Sequence, residues 1–207
     1  MDLDPSLFQA MIVRGAERIV TSVEELCALD RAIGDGDHGT NMKRGVEAVL
    51  AKTDDIVALP LGEALSAIGK TLVMTVGGAS GPLYGSFFLA AGAALERGRR
   101  LPEDLAAVFA AGVEAVGARG RSTAGEKTML DVLVPVLETL RAEAGRSNLA
   151  GRVRTTARQS TERTAPMLAT KGRAAYLGPR SVGHIDPGAR SSCLIVEAIC
   201  EVWEERQ

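Results

Sequence analysis

The sequence predicts an all-α fold, an up-and-down antiparallel barrel or bundle of eight helices. Apolar residues recur at helical spacing along most of the chain, and no alternating stretch is long enough for a strand. Aromatic residues make up only 3%, whereas Ala, Leu, Val and Gly abound, which is typical of closely packed helices. At 207 residues the chain fits a single domain, residues 1–207, that can bury most of its apolar surface.

The first helix is predicted to begin after Asp4, because Asp4-Pro5 combines an N-cap residue with a proline at the first helical position. It runs to about Ala32, and the capping box Ser22-x-x-Glu25 predicts a break and restart within it. A second helix begins near Thr40. Six more are predicted to begin at Leu61, Pro82, Pro102, Thr128, after Asn148 and after Pro187. Residues expected to face the core include Val73, Leu168 and Ile199.

The connections between these helices alternate in character. Those after the first, third, fifth and seventh helices are rich in Gly, Ser, Thr, Asp, His and basic residues, whereas the others are ordinary surface turns. In an up-and-down antiparallel bundle, the odd-to-even connections all lie at one end. Four polar loops are therefore predicted to converge on one rim of the molecule.

The stretch from Asp30 to Met42 is predicted to bind a metal ion. Its three carboxylates, Asp30, Asp35 and Asp37, repel one another and need a compensating positive charge in the folded state. No Lys or Arg lies between Ala32 and Met42 to provide it. Oxygen ligands on a glycine-rich loop suit a hard divalent cation, Mg²⁺ or Ca²⁺.

Other interpretations of this stretch fit less well. Gly34-x-Gly36-x-x-Gly39 matches the dinucleotide fingerprint, but that motif follows a strand, and here a helix precedes it. A calcium-binding EF-hand would need Gly where Thr40 stands and Glu where Val46 stands. A hydrolase that phosphorylates an aspartate would need a buried strand before Asp35. A simple solvated turn needs one Asp and one Gly rather than three of each.

The glycine-rich connection Gly77–Gly81 is a candidate phosphate cradle. It lies just before Pro82, which is predicted to open a helix, and backbone N–H groups with the Ser80 hydroxyl at a helix N-terminus can bind an anion. Thr40 and Asn41 offer the same kind of donors beside the metal loop. A plain helix–helix turn that needs glycines is the alternative.

Charged and histidine residues on the remaining polar loops complete the predicted site. Lys127 and Arg180 would supply positive charge, or are surface residues. His38 would orient a carboxylate or contact a phosphate, whereas His184 and the turn Asp186–Gly188 are ordinary loop features unless they face the site. Together these features predict Mg²⁺-nucleotide binding and phosphoryl transfer, which depends on positioning and charge neutralisation.

Composition excludes several classes of function. A net charge of −2 argues against a nucleic-acid-binding surface, and no apolar run reaches the ~20 residues that span a bilayer. The acidic start, Met1–Pro5, lacks the basic region of a signal peptide. Cys27, Cys193 and Cys200 show no C-x-x-C spacing and are predicted to be buried and reduced. A cytoplasmic location is expected.

Four motifs resemble the nucleotide-binding L subunit of dihydroxyacetone kinase, in its phosphoenolpyruvate phosphotransferase-dependent form. They are Gly34-Asp-Gly-Asp-His-Gly39 with Asn41, Gly77-Gly-Ala-Ser-Gly-Pro82, Gly125-Glu-Lys-Thr-Met129 and Gly183-His-Ile-Asp-Pro-Gly188. They occur in order over essentially the whole chain. The resemblance implies an eight-helix antiparallel barrel with the nucleotide at one rim.

The resemblance also implies roles for individual residues. Asp30, Asp35 and Asp37 would ligate two Mg²⁺ ions. Residues implied to bind ADP or ATP near its phosphates are His38, Gly39, Thr40, Asn41, Ala79 and Ser80. Residues implied to border the nucleoside are Gly120, Met129, Arg180, Asp186, Pro187 and Gly188.

In the family, the L subunit works with a K subunit that holds dihydroxyacetone covalently on a histidine. A phosphotransferase-system subunit, M, rephosphorylates ADP that stays bound as a resident coenzyme. The resemblance thus implies a phosphotransferase with these two partners. Two alternatives are an L-type module of an ATP-dependent kinase for another small sugar or a fatty acid, and a non-catalytic metal-binding helical adaptor.

Overall fold

The computed structural model describes residues 3–206, and every regular element in that range is helical, which confirms the all-α prediction. Met1 and Asp2, part of the acidic start noted above, lie outside this range. The elements are α1 (Pro5–Thr21), α2 (Val23–Ile33), α3 (His38–Leu50), α4 (Thr53–Val57), α5 (Leu61–Thr75), α6 (Ser80–Glu96), α7 (Leu105–Gly120), α8 (Leu130–Ala142), α9 (Leu149–Arg163), a 3₁₀ helix (Arg173–Ser181) and α10 (Pro187–Glu204).

The long helices pack against one another largely in chain order. α1 packs on α3, α3 on α5, and each later helix on the next as far as α10, which packs back on α1. The main core lies between them and includes Ile19, Leu26, Met42, Leu72, Val116 and Leu194. Eight helices result if α1 and α2 are counted as one interrupted helix and the short α4 is left out. The barrel geometry stays a prediction.

Several helices begin at other residues than predicted. α3 begins at His38 rather than Thr40, and α6 begins at Ser80, two residues before Pro82. Pro82 is tolerated in the first turn because the N–H groups there have no intrahelical partner. α8 begins at Leu130 rather than Thr128, because the Thr128 N–H donates to the Asp131 carboxylate in a preceding turn (2.7 Å).

The start of α2 lies where it was predicted but is not capped as expected, and the start of α7 lies at a different residue. The break at Ser22 occurs as predicted, but the Ser22 side chain makes no capping hydrogen bond; its N–H donates to Ile19 O at 3.1 Å instead. α7 begins at Leu105 rather than Pro102. The Asp104 carboxylate accepts a hydrogen bond from the Arg100 N–H (2.9 Å), which stabilises a turn before the helix.

Three residues that were predicted to face the core are exposed. Val73 is 39% exposed, Leu168 49% and Ile199 37%. Leu168 lies beyond the end of α9 at Arg163, so helical periodicity does not apply to it. Val73 and Ile199 lie within α5 and α10, where the apolar positions extend beyond the residues that are buried.

Glycines bring the backbones of α5 and α6 into direct contact. A Cβ atom on Gly69 would lie 2.8 Å from Gly85 O, and a Cβ atom on Gly85 would lie 2.8 Å from Gly69 O. No side chain fits between the two helices at this point. The pair fixes the position of α6, whose first turn carries Ser80.

Two expectations about the chain's chemistry were tested by the structure. Cys27, Cys193 and Cys200 are free and buried, as predicted. Within residues 3–206, no helix combines the length and the hydropathy needed to cross a membrane.

Candidate functional site

The three predicted metal ligands converge. One carboxylate oxygen from each of Asp30, Asp35 and Asp37 lies within 4.8 Å of the others. Asp30 is buried near the end of α2, and its Oδ2 accepts hydrogen bonds from the N–H groups of Asp37 (2.8 Å) and His38 (3.1 Å). Gly36, at φ +78°, provides the left-handed turn between the two exposed acids. Three clustered oxygen ligands on a short loop fit a hard divalent cation.

One positive charge, which balances only one of the three carboxylates, reaches the cluster from a distant part of the chain. Arg173, the first residue of the 3₁₀ helix, forms an ion pair with Asp35. Arg173 is not among the residues predicted from the sequence, because 138 positions separate the two partners. The only signal for it was a basic residue on a loop predicted to reach this rim.

His38 connects the metal loop to the glycine-rich cradle. Its Nδ1 is hydrogen-bonded to Ser80 Oγ (3.2 Å) and its Nε2 to Ser191 Oγ (2.8 Å). Burial lowers the pKa of His38, although Asp30 and Asp37 oppose that shift. Because each ring nitrogen already has a hydrogen-bond partner, the ring can orient the Ser80 hydroxyl.

Tyr84 extends this network to the start of α10. Its hydroxyl is hydrogen-bonded to Ser191 Oγ (2.8 Å) and Ser192 Oγ (2.9 Å) and donates to Gly188 O (3.3 Å). Burial raises the pKa of Tyr84 to about 12, so the group stays a neutral phenol. Tyr84, Ser191 and Ser192 are not predicted from the sequence, where they look like ordinary helix residues.

The N-termini of α3 and α6 lie side by side. Ala79 is the N-cap of α6 and Ser80 its first residue, and the His38–Ser80 hydrogen bond joins this turn to the first turn of α3. Asn41, in α3, lies against Gly77, and its Oδ1 accepts a hydrogen bond from Arg44 (2.6 Å). Free N–H groups and the helix dipole favour an anion at such an end. Gly39 and Thr40 lie in the same first turn of α3.

Most of the predicted nucleoside-side residues are also close to one another. Asp186 caps α10, with its Oδ2 accepting from the Ala189 N–H (2.7 Å), and Pro187 follows as the first helical residue. A Cβ atom on Gly188 would lie 3.6 Å from Met129 Cβ. Gly120 lies against Leu83 of α6.

Of the two basic residues expected near the phosphates, the structure contradicts the expectation for Lys127 and leaves that for Arg180 untested. Lys127 was expected to offer positive charge to a phosphate, but its ammonium group is buried and donates to backbone carbonyls of residues 164–184. That expectation is corrected. Arg180 is exposed, and its side chain has no hydrogen bond or ion pair within residues 3–206. Its role stays a prediction.

Asp186 makes the stability of the protein depend on pH. Burial raises the pKa of Asp186 to about 7, the neighbouring Asp131 adds to that shift, and the Ala189 N–H and Lys127 oppose it. An acid whose pKa rises on folding binds its proton more tightly in the folded state, so its stabilising contribution falls as the pH rises from about 4 to about 7.

The substitution Asp186→Asn keeps the capping oxygen and removes this titration. Between about pH 5 and about pH 8 we expect the wild-type protein to lose ~2–3 kcal/mol of unfolding free energy relative to the variant. Urea denaturation at both pH values measures this. Identical pH dependence of the two proteins would contradict the assignment.

Comparison with known proteins places the chain in a family. Residues 32–201 match the model of the DAK2 domain. The PEP-dependent dihydroxyacetone kinase 1, ADP-binding subunit DhaL, of Listeria innocua is 44% identical over 185 residues, covering 89% of this chain and 90% of that protein. The PEP-dependent dihydroxyacetone kinase, ADP-binding subunit DhaL, of Escherichia coli is 41% identical over 211 residues, covering 99% and 100%.

A solved structure shares the fold. The dihydroxyacetone kinase from C. freundii in complex with AMP-PNP and Mg²⁺ superposes with a TM-score of 0.78 at 25% identity over 97% of this chain. The chain spans 34% of the length of that kinase. The domain model and the two bacterial subunits match most of the chain. This chain therefore belongs to the DAK2-domain family, in the group of DhaL subunits of PEP-dependent dihydroxyacetone kinase.

Proposed function

We propose that this chain is the nucleotide-binding subunit of a dihydroxyacetone kinase, with residues 1–207 acting as one domain that holds Mg-ADP or Mg-ATP. The observation that carries the proposal is the convergence of three carboxylates with the paired N-termini of α3 and α6. The names of the bacterial relatives and the AMP-PNP and Mg²⁺ of the C. freundii complex support it.

The carboxylate cluster would hold the metal. Asp30, Asp35 and Asp37 would hold two Mg²⁺ ions through their carboxylate oxygens. Bound there, the ions would neutralise phosphate charge and fix the phosphate oxygens. Asp30 is held in place by the N–H groups of Asp37 and His38, so the buried side of the cluster is preorganised.

The two helix N-termini would hold the phosphates, and the α10 start would border the nucleoside. On the phosphate side the proposed contacts are His38, Gly39, Thr40, Asn41, Ala79 and Ser80. On the nucleoside side they are Gly120, Met129, Arg180, Asp186, Pro187 and Gly188. His38 would act mainly by orienting the Ser80 hydroxyl, because both of its ring nitrogens are already hydrogen-bonded.

We propose that the nucleotide stays bound and relays phosphoryl groups. A phosphotransferase-system subunit would phosphorylate the bound ADP, and the chain would pass the group to dihydroxyacetone held by a K subunit. Such transfer requires positioning and charge neutralisation rather than a nucleophilic side chain. The residues grouped at this site have that character, since they are carboxylates, backbone donors and hydroxyls.

Reconstitution tests this proposal. The ADP-loaded chain is mixed with a phosphorylated phosphotransferase-system subunit, a K subunit and dihydroxyacetone, and each component is omitted in turn. We expect dihydroxyacetone phosphate only when all of them are present, with no added ATP. Product without the K subunit would contradict the proposed path. Product that requires ATP in proportion to turnover would favour an ATP-dependent kinase module instead.

A further inference from the structure

Lys127 has an unusual environment for a lysine. Its side chain is 1% exposed and is among the largest fully buried side chains in the described residues. Within residues 3–206 it forms no ion pair; Asp186 is the carboxylate that acts on it through space. A buried ammonium group is costly unless its protons are all hydrogen-bonded. The contacts of Lys127 therefore indicate what the burial accomplishes.

Those contacts are all backbone carbonyls of one long connection. Nζ of Lys127 donates to His184 O (2.5 Å), Thr164 O (2.8 Å) and Met167 O (3.1 Å), with Ala165 O at 3.3 Å. The acceptors lie at both ends of the segment that joins α9 to α10. One side chain thus ties the beginning of this segment to its end, two residues before Asp186.

The backbone at Lys127 is shaped to send the side chain inward. Lys127 has φ +61°, a left-handed conformation that is unfavourable for a residue other than glycine. Asp131 stabilises the turn, because its carboxylate accepts from the N–H groups of Gly125 (2.5 Å) and Thr128 (2.7 Å) on either side of Lys127. The Thr170 N–H also donates to Glu126 O (3.3 Å).

We propose that Lys127 is a positioning residue that holds the Asp186–Gly188 turn against Met129 and so shapes the nucleoside end of the site. This inference rests on the proposed nucleotide-binding function. The His38–Ser191–Tyr84 network also reaches this turn, at Gly188 O. Lys127 belongs to neither that network nor the metal loop, and it supports the nucleoside end through His184 O, on the other side of Asp186.

The test compares two ligands that share phosphates but differ in the nucleoside. Calorimetry measures the Kd of Mg-ADP and of Mg-pyrophosphate for the wild-type chain, for Lys127→Met and for a control, Lys52→Met, which removes an exposed lysine. We expect Lys127→Met to bind Mg-ADP about tenfold or more weakly while Mg-pyrophosphate binding changes by less than about twofold, because only the nucleoside end loses its preorganisation. Lys52→Met should match the wild type for both ligands.

Each other outcome has a definite meaning. If both ligands weaken in parallel, Lys127 supports the fold in general and the inference is wrong; unchanged binding of both ligands also overturns it. A wild-type chain that binds neither ligand refutes the proposed function instead. If circular dichroism shows that Lys127→Met does not fold, Asp131→Asn replaces it. That variant loosens the turn around Lys127 without leaving a buried charge unpaired, and it should weaken Mg-ADP selectively, by a smaller factor.

Discussion

Replacing Asp35 or Asp37 by asparagine is expected to abolish Mg²⁺-dependent nucleotide binding while the helices stay intact. Asparagine keeps the shape of the side chain but removes the negative charge that a hard divalent cation requires. Both residues are exposed in the cluster, so the fold does not depend on them. Calorimetry with ADP in the presence of Mg²⁺ should show a loss of about 100-fold or more, since even outer ligands of a metal site contribute up to about that factor.

Asp55→Asn is the matched control for these two variants. Asp55 is an exposed acid in the first turn of the short α4 and belongs to a different loop. It should bind Mg-ADP like the wild type, and circular dichroism should be the same for all four proteins. Unchanged ADP affinity in either Asp35→Asn or Asp37→Asn would remove the metal assignment.

Gly69→Ala is expected to destabilise the protein by about 2 kcal/mol, because a single added methyl group would meet a backbone oxygen. The new Cβ would lie 2.8 Å from Gly85 O and 2.8 Å from the Leu89 side chain, so α5 and α6 would have to separate. Overpacking of this kind typically costs ~1–3 kcal/mol. Urea denaturation measures the change in the free energy of unfolding.

Gly15→Ala is expected to have the opposite effect on stability, although Gly15, like Gly69, lies within a helix. Gly15 lies within α1, and a Cβ atom there would have no neighbour within 4 Å. Alanine is favoured over glycine in a helix by about 1 kcal/mol, so this variant should be stabilised by up to that amount. If both substitutions change stability in the same direction, the close contact between α5 and α6 does not govern the effect.

The features predicted correctly from the sequence are those that depend on local spacing. Asp30, Asp35 and Asp37 lie within eight positions, so their convergence requires only a helix end and a glycine turn. The helical class follows from periodicity alone. The pairing of polar loops follows from chain order, and the His38–Ser80 hydrogen bond agrees with it.

Features that depend on contacts between distant segments could not be predicted. Arg173 looks no different in the sequence from Arg180, yet the fold places only Arg173 on a metal-ligand candidate. Tyr84 and Ser191 are 107 positions apart in the sequence, so their spacing does not indicate that they are in contact. Leu168 was misplaced because periodicity was extended past the end of its helix.

Lys127 shows how a residue type alone can mislead. A lysine just before a helix is ordinarily an exposed cation, which is why it was expected to face a phosphate. Its left-handed backbone and the carbonyls that surround it are set by Asp131 and by the segment between α9 and α10. Neither can be recognised before the fold is known.

The nucleotide that the purified chain carries decides whether ADP is a resident coenzyme of this protein. The protein is purified with Mg²⁺ throughout, dialysed and denatured, and any released nucleotide is identified by chromatography and mass. We expect ADP in an amount equal to that of the protein, still bound after dialysis. Protein that is empty but binds added ATP reversibly would contradict the resident coenzyme. Protein that carries no nucleotide and binds neither ADP nor ATP would contradict the nucleotide site itself.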